Sequence, residues 1–163
     1  MSLDWSILYW IQSHTVCDLF DLLMPKLTLL GSGGAVWLLA AGGLLCTKKY
    51  RRQGVILLAG LAVGVLVGNM CLKNLIARSR PCWLDDSVFM LISMPTDYSF
   101  PSGHTLASAI GATVLTKTNR RFGWAVGCGG GGAAIRWAAI IAFSRLYLFV
   151  HFPSDILAGG CWA

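Results

Sequence analysis

Charge-free apolar runs alternate along the chain with short clusters of lysine, arginine and turn residues. Residues 27–46, 54–72 and 102–116 contain no Asp, Glu, Lys or Arg, and residues 123–143 contain only Arg136. A helix crossing a hydrocarbon core of about 30 Å needs roughly 20 residues, with about 17 tolerated. The first two runs reach that length, the third is short and the fourth is interrupted. Ahead of them, Leu3, Ile7, Trp10 and Ile11 recur at helical spacing opposite Asp4, Ser6 and Ser13, which predicts a short amphipathic helix. Such a helix either lies in the bilayer interface or packs as a terminal helix on the bundle. The pattern therefore predicts an all-α chain: a multi-pass transmembrane helix bundle of about four to five spans. It forms a single membrane domain over 1–163, divided into an interfacial segment, 1–26, and a bundle, 27–163.

Composition supports this reading. The 163 residues are 56% hydrophobic and 12% charged, against about a quarter charged in soluble domains. The N-terminus has no basic region followed by a small-residue cleavage site, so no signal peptide is expected. Cysteines stand at 17, 46, 71, 82, 128 and 161. None forms C-x-x-C, and they read as small buried side chains rather than a disulfide framework or a metal site. The glycine run at 127–132 marks either a close helix contact or a break in the fourth span. Arg136 then faces the bundle interior or marks the start of the helix after that run, and the second reading is favoured.

Charge sets the topology. Lys48, Lys49, Arg51 and Arg52 lie between the first two runs, and Lys117, Arg120 and Arg121 between the third and fourth. With alternating spans both clusters share a side, which the positive-inside rule makes cytoplasmic. The net charge of +6 reports this topology, and no basic stripe with interleaved aromatics points to nucleic acid. Residues 73–101 and 144–155 are then expected together on the external face.

Those two stretches hold the candidate chemistry. They read Lys73, six residues, Arg80-Pro81; then Pro101-Ser102-Gly103-His104; then Ser144-Arg145, five residues, His151, three residues, Asp155. Phosphoryl transfer spreads negative charge over three equatorial oxygens and is catalysed largely by positioning and charge stabilisation. Lys73, Arg80 and Arg145 supply positive charge, the arginines with a fork that fits phosphate. A helix starting at Pro101-Ser102-Gly103 adds backbone N–H groups. One histidine would attack phosphorus and the other would protonate the leaving oxygen. Asp155 would orient His151. The residues alone leave open which histidine attacks.

The pattern K-x6-R-P, P-S-G-H, S-R-x5-H-x3-D resembles the signature of the type 2 phosphatidic acid phosphatase superfamily. Every specified position is present, in order, and the resemblance covers about residues 54–160. It is most similar to the small bacterial lipid-phosphate and undecaprenyl-diphosphate phosphatases. The resemblance implies that His151 is the nucleophile and forms a phosphohistidine. It further implies that Asp155 holds His151, that His104 is the acid, and that Lys73, Arg80, Ser102, Gly103 and Arg145 bind phosphate. No metal or other cofactor is implied. The implied partners are a lipid phosphate (undecaprenyl diphosphate, phosphatidic acid or phosphatidylglycerol phosphate) and the cell membrane itself. A non-catalytic lipid-phosphate binder or transporter on the same fold is the rival.

Two further expectations follow. Arg78, outside the motif, reads as an interfacial or lipid-headgroup contact, and His14 as a surface residue. The residues after Asp155 amount to about 12 Å of helix at 1.5 Å per residue. The resemblance implies a full final span there, so the last helix reads as truncated.

Overall fold

A computed structural model describes residues 2–118 and 133–162. Among them there are helices and no strands. Helix α1 spans Leu3–His14. Helix α2, Asp18–Gly31, begins with Asp18 and Asp21 in its first turn, where acidic side chains complement the positive end of the helix dipole. It runs straight through Pro25, so the expected boundary between 26 and 27 falls inside a helix. One proline removes only one backbone donor, and the rest of the turn ladder persists.

The first apolar run is broken instead at Ser32–Gly34. Gly33 and Gly34 have φ of 60° and 70°, a left-handed conformation that costs glycine little. Helix α3, Ala35–Cys46, follows, and a tight turn carrying Lys48 and Lys49 leads to α4, Arg51–Gly64. The same helix continues as a π-helix over Val65–Leu72 and one more α-turn, Lys73–Ile76. It stops at Ala77, which is left-handed with φ 48°. Helix α5, Pro81–Leu84, is a single turn with proline first, where a missing N–H does no harm.

Helix α6 spans Gly103–Thr118, close to the expected 102–116. Helix α7 spans Ala133–Tyr147 and contains Arg136. The glycine run, Cys128 and the loop cations Arg120 and Arg121 lie outside the described residues. Helix α8, Pro153–Cys161, again starts with proline.

Among the described residues, two stretches are long and apolar enough to cross a membrane, Asp18–Cys46 and Arg51–Leu84. In their most apolar windows only 28% and 17% of residues are buried within the protein. A core helix of a water-soluble domain would bury most of such a face. Here Leu22, Leu39, Val55, Val63, Leu66 and Met70 point outward, each more than half exposed. Inside, Trp37, Ala41, Leu57, Leu61, Leu106 and Ile110 form one core between α3, α4 and α6. A second core gathers Leu8, Ile11, Met24 and Cys82 around the loop from Leu148 to Phe152. Cys82 is buried, but Cys17, Cys46, Cys71 and Cys161 are exposed. The expectation of buried thiols is corrected there, because those positions sit on the outward apolar surface.

Helix α1 differs from expectation in its rotation. Leu8 and Ile11 face inward, whereas Leu3 and Trp10 are exposed at 77% and 57%. Asp4, expected on the polar outer face, is turned toward the protein. Its carboxylate accepts from the Ser154 amide at 3.0 Å and hydroxyl at 2.6 Å, and from Arg78 at 2.7 Å. Hydrogen bonds to an ionised group are among the stronger ones, and three of them fix the helix about its axis.

Candidate active site

Helix α4 ends, and α6 begins, at the same end of the bundle, and the loop before α8 closes over both. Here a cavity of about 700 Å³ is lined by Lys73, Arg80, Gly103, His104, Arg145 and His151. The three separated motif segments therefore share one space. Leu38, Leu58, Leu61, Val65, Leu106 and Ile110 line the same cavity.

His151 is 1% exposed. Its Nε2 lies 3.1 Å from Arg80 Nη1. A guanidinium only donates, so this contact assigns the lone pair to Nε2 and the proton to Nδ1. Nδ1 faces Asp155 Oδ2 at 3.7 Å and Ser99 Oγ at 3.4 Å. Burial pushes the His151 ring down to about 3; Asp155 opposes that shift, while Arg80 and Arg145 add to it. The imidazole is neutral at ordinary pH, the state a nucleophile needs.

Asp155 is fully buried, at 0% exposure. As the third residue of α8 its Oδ2 accepts the Phe152 amide at 2.8 Å, reaching back to cap the helix start. The same oxygen accepts Ser99 Oγ at 2.5 Å. Oδ1 accepts Arg78 Nη1 at 2.6 Å. Arg78 is therefore engaged in an ion pair with Asp155 and Asp4, which corrects its reading as a headgroup contact.

Arg80 is 2% exposed. Besides His151, it donates to Val150 O at 2.7 Å, to Asp97 O at 2.6 Å and to Asp97 Oδ1 at 2.7 Å. Asp97 also ion-pairs with Lys73. Burial alone would raise the Asp97 carboxyl, but Lys73 and Arg80 outweigh it and hold it down at about 2. Arg145 donates from Nη1 to Thr28 Oγ1 at 2.6 Å, and its buried Nε has no hydrogen-bond partner among the described residues. His104 Nε2 lies 3.4 Å from Ser32 Oγ, which the break between α2 and α3 delivers.

Two expected ligands occupy different positions. Gly103 lines the cavity, and a Cβ there would stand 2.6 Å from Asn69 Oδ1 of the π-helix. Ser102 is fully buried and is not part of the cavity wall. Its hydroxyl accepts from the Thr105 amide at 3.4 Å and hydroxyl at 3.0 Å, capping the start of α6. Its amide donates to Asp155 O at 3.2 Å, joining the starts of α6 and α8. Ser99, Asp97 and Thr28 were not anticipated. No spacing rule singles out a serine or aspartate in an irregular loop, and Thr28 read as one polar residue in an apolar run.

A helical bundle carrying a buried histidine–aspartate pair beside three cations defines an anion-handling site at one end of a membrane-type fold. The same fold occurs in the crystal structure of Aquifex aeolicus LpxE, with a TM-score of 0.82 and 24% identity, over 99% of this chain and 90% of that one. It occurs also in a transmembrane PAP2-type phosphatidylglycerolphosphate phosphatase from Bacillus subtilis, with a TM-score of 0.68, 24% identity, and 91% and 73% coverage. The sequence profile of the PAP2 superfamily matches residues 53–163, and the chain belongs to that superfamily. Among curated relatives, the undecaprenyl-diphosphatase of Sulfolobus acidocaldarius is 33% identical over 130 residues, 78% of this chain and 59% of that protein. The decaprenylphosphoryl-5-phosphoribose phosphatase of Mycolicibacterium smegmatis is 31% identical over 79% of this chain and 65% of that protein. The chain thus spans about three-fifths of the length of these relatives.

Proposed function

We propose that this chain is an integral-membrane phosphatase that removes phosphate from a lipid mono- or diphosphate at the external face of the cell membrane. One observation carries the reading: His151, its Nε2 met by Arg80, lines a cavity together with Lys73, Arg80, Arg145, His104 and six apolar side chains. The cations receive the phosphate and the apolar side chains receive the lipid stem. The external placement rests on Lys48, Lys49, Arg51, Arg52 and Lys117 lying at the opposite end of α3, α4 and α6. Four to five spans are assigned, because α6 packs against α4, α7 against α2 and α6, and α8 against α6.

In the first step Nε2 of His151 attacks phosphorus and the bond from phosphorus to the lipid oxygen breaks. The lipid oxygen takes a proton from His104. A dianionic phosphate beside His104 favours the protonated ring that this requires. Arg80 gives up its contact with Nε2 and, with Lys73, Arg145 and the Gly103 amide, holds the transferring oxygens. Asp155 stabilises the charge that develops on His151. In the second step a water, losing its proton to His104, attacks the phosphohistidine; the phosphorus–nitrogen bond breaks and inorganic phosphate leaves. No step calls on a metal, so chelators are expected to leave the rate unchanged.

The test is phosphate release in detergent from undecaprenyl diphosphate, phosphatidic acid and phosphatidylglycerol phosphate. The chain is expected to turn over at least one, and His151→Ala to abolish turnover. Full activity in His151→Ala would refute the nucleophile. Binding of all three lipids without release would establish the lipid-binder reading instead.

A further inference from the structure

Arg78 and Arg80 are separated by one residue and approach the histidine–aspartate pair from its two ends. Arg80 meets His151 Nε2, whereas Arg78 meets Asp155 Oδ1, the carboxylate oxygen that does not face the ring. Arg78 is not part of the cavity wall. Its guanidinium lies 4.2 Å from the centre of the Phe152 ring, and its other contacts are Ser154 Oγ at 2.7 Å and Asp4 Oδ2 at 2.7 Å. Asp4 in turn accepts from both the amide and the hydroxyl of Ser154. The result is a closed loop of charge-assisted bonds in which α1 clasps the start of α8.

A carboxylate can serve a histidine only when one oxygen points along the ring N–H. Asp155 Oδ2 already accepts two other donors, and its distance to Nδ1 is 3.7 Å. The tilt of the carboxylate about its own axis therefore decides whether the contact forms. Oδ1 is the lever for that tilt, and Arg78 holds it. Without Asp4, Arg78 keeps Asp155 Oδ1 and Ser154 Oγ as partners of Nη1 but loses the partner of Nη2, and its guanidinium is free to turn about the Nη1 contacts.

We propose that Arg78 is a positioning residue for the reaction and that Asp4 anchors it, so that the N-terminal helix belongs to the working site. This rests on the reading of His151 as nucleophile and Asp155 as its orienting partner. Misplacement of a reacting group by about 1 Å costs on the order of 100-fold in rate. Arg78 does not touch the phosphate pocket, so that loss falls on kcat and not on KM.

The experiment measures kcat and KM for one lipid phosphate on the full chain in detergent, for wild type, His151→Ala, Arg78→Gln, Arg78→Lys, Asp4→Asn and the double variant Asp4→Asn/Arg78→Gln. Arg78→Gln is expected to lower kcat roughly 100-fold with KM within a factor of about 2, Arg78→Lys to restore part of it, and Asp4→Asn to lower kcat roughly 10-fold. The double variant should lose less than the product of the two single losses, because Asp4 can no longer act through Arg78 and keeps only its bonds to Ser154. Additive losses, an unchanged kcat in Arg78→Gln, or a raised KM alone would each overturn the proposal; a raised KM would return Arg78 to lipid binding. If Arg78→Gln fails to fold, Asp4→Asn decides, with unchanged kcat overturning the assignment. Wild type without turnover would sink both this proposal and the reading beneath it. Turnover lost in His151→Ala but full in Arg78→Gln would sink this one alone.

Discussion

Asp97 grips Arg80 twice: its side-chain Oδ1 accepts Nη2 at 2.7 Å and its backbone oxygen accepts Nε at 2.6 Å. The same carboxylate pairs with Lys73. Two of the three cations assigned to phosphate thus already have an anion beside them. Held at about 2, Asp97 is charged at any working pH and competes with an incoming phosphate. It is 55% exposed, so the competition is screened and is worth about 1 kcal/mol, roughly a five-fold change in affinity. Asp97→Asn is expected to strengthen inhibition by inorganic phosphate by about that factor. Weaker inhibition would mean that Asp97 matters mainly for holding Arg80 in place.

His104 lines the cavity beside Ser32 and is assigned the leaving-group proton. His104→Ala is expected to cost roughly 10²- to 10⁴-fold with a lipid alkoxide, and far less with p-nitrophenyl phosphate, whose leaving oxygen needs no proton. Comparing the two substrates on one preparation checks this. Equal losses would argue against the acid role.

At Gly103 a methyl group would land 2.6 Å from Asn69 Oδ1. Either the Asn69 side chain must rotate away or the start of α6 must shift, the latter at a cost of about 1–3 kcal/mol. Gly103→Ala is expected to raise KM, because the methyl group and the displaced Asn69 side chain crowd the cavity beside the amide assigned to phosphate. Unchanged KM would remove that amide from the phosphate site.

Acid should loosen the fold through His151. Its ordinary value is 6.5, and burial holds it at about 3 in the folded chain. The unfolded chain therefore binds a proton that the folded chain refuses between those values. Stability is full above about pH 6.5 and falls as pH drops toward 3, with Asp97 adding a further loss between 3.8 and about 2. Thermal unfolding in detergent from pH 8 to 3 should show the decline, and His151→Gln should make it shallower above pH 4. A flat wild-type profile would show that the ring is solvated.

The motif residues were legible because each carries its own spacing, and the fold only had to bring three short strings together. Helix α6 was legible because apolar periodicity marked its body and Pro101-Ser102-Gly103 its start. What stayed hidden depends on distance. Asp4 and Arg78 are 74 positions apart, and a lone aspartate in a first turn already has a sufficient local explanation in the helix dipole. Asp97 has no periodic neighbour to announce it. The start of α2 is not legible in the charge-free run, which begins at Leu27 just after Lys26, whereas burial of Met24 and Thr28 carries the helix across Pro25 and Lys26.

The π-helical stretch Val65–Leu72 carries one further consequence. Hydrogen bonds of the i→i+5 kind fit more residues into each turn than the α pattern does, so α4 stores surplus chain between Arg51 and Lys73. Losing a residue can be absorbed by rewinding that coil into the α pattern, leaving Lys73 and Asn69 on the cavity wall.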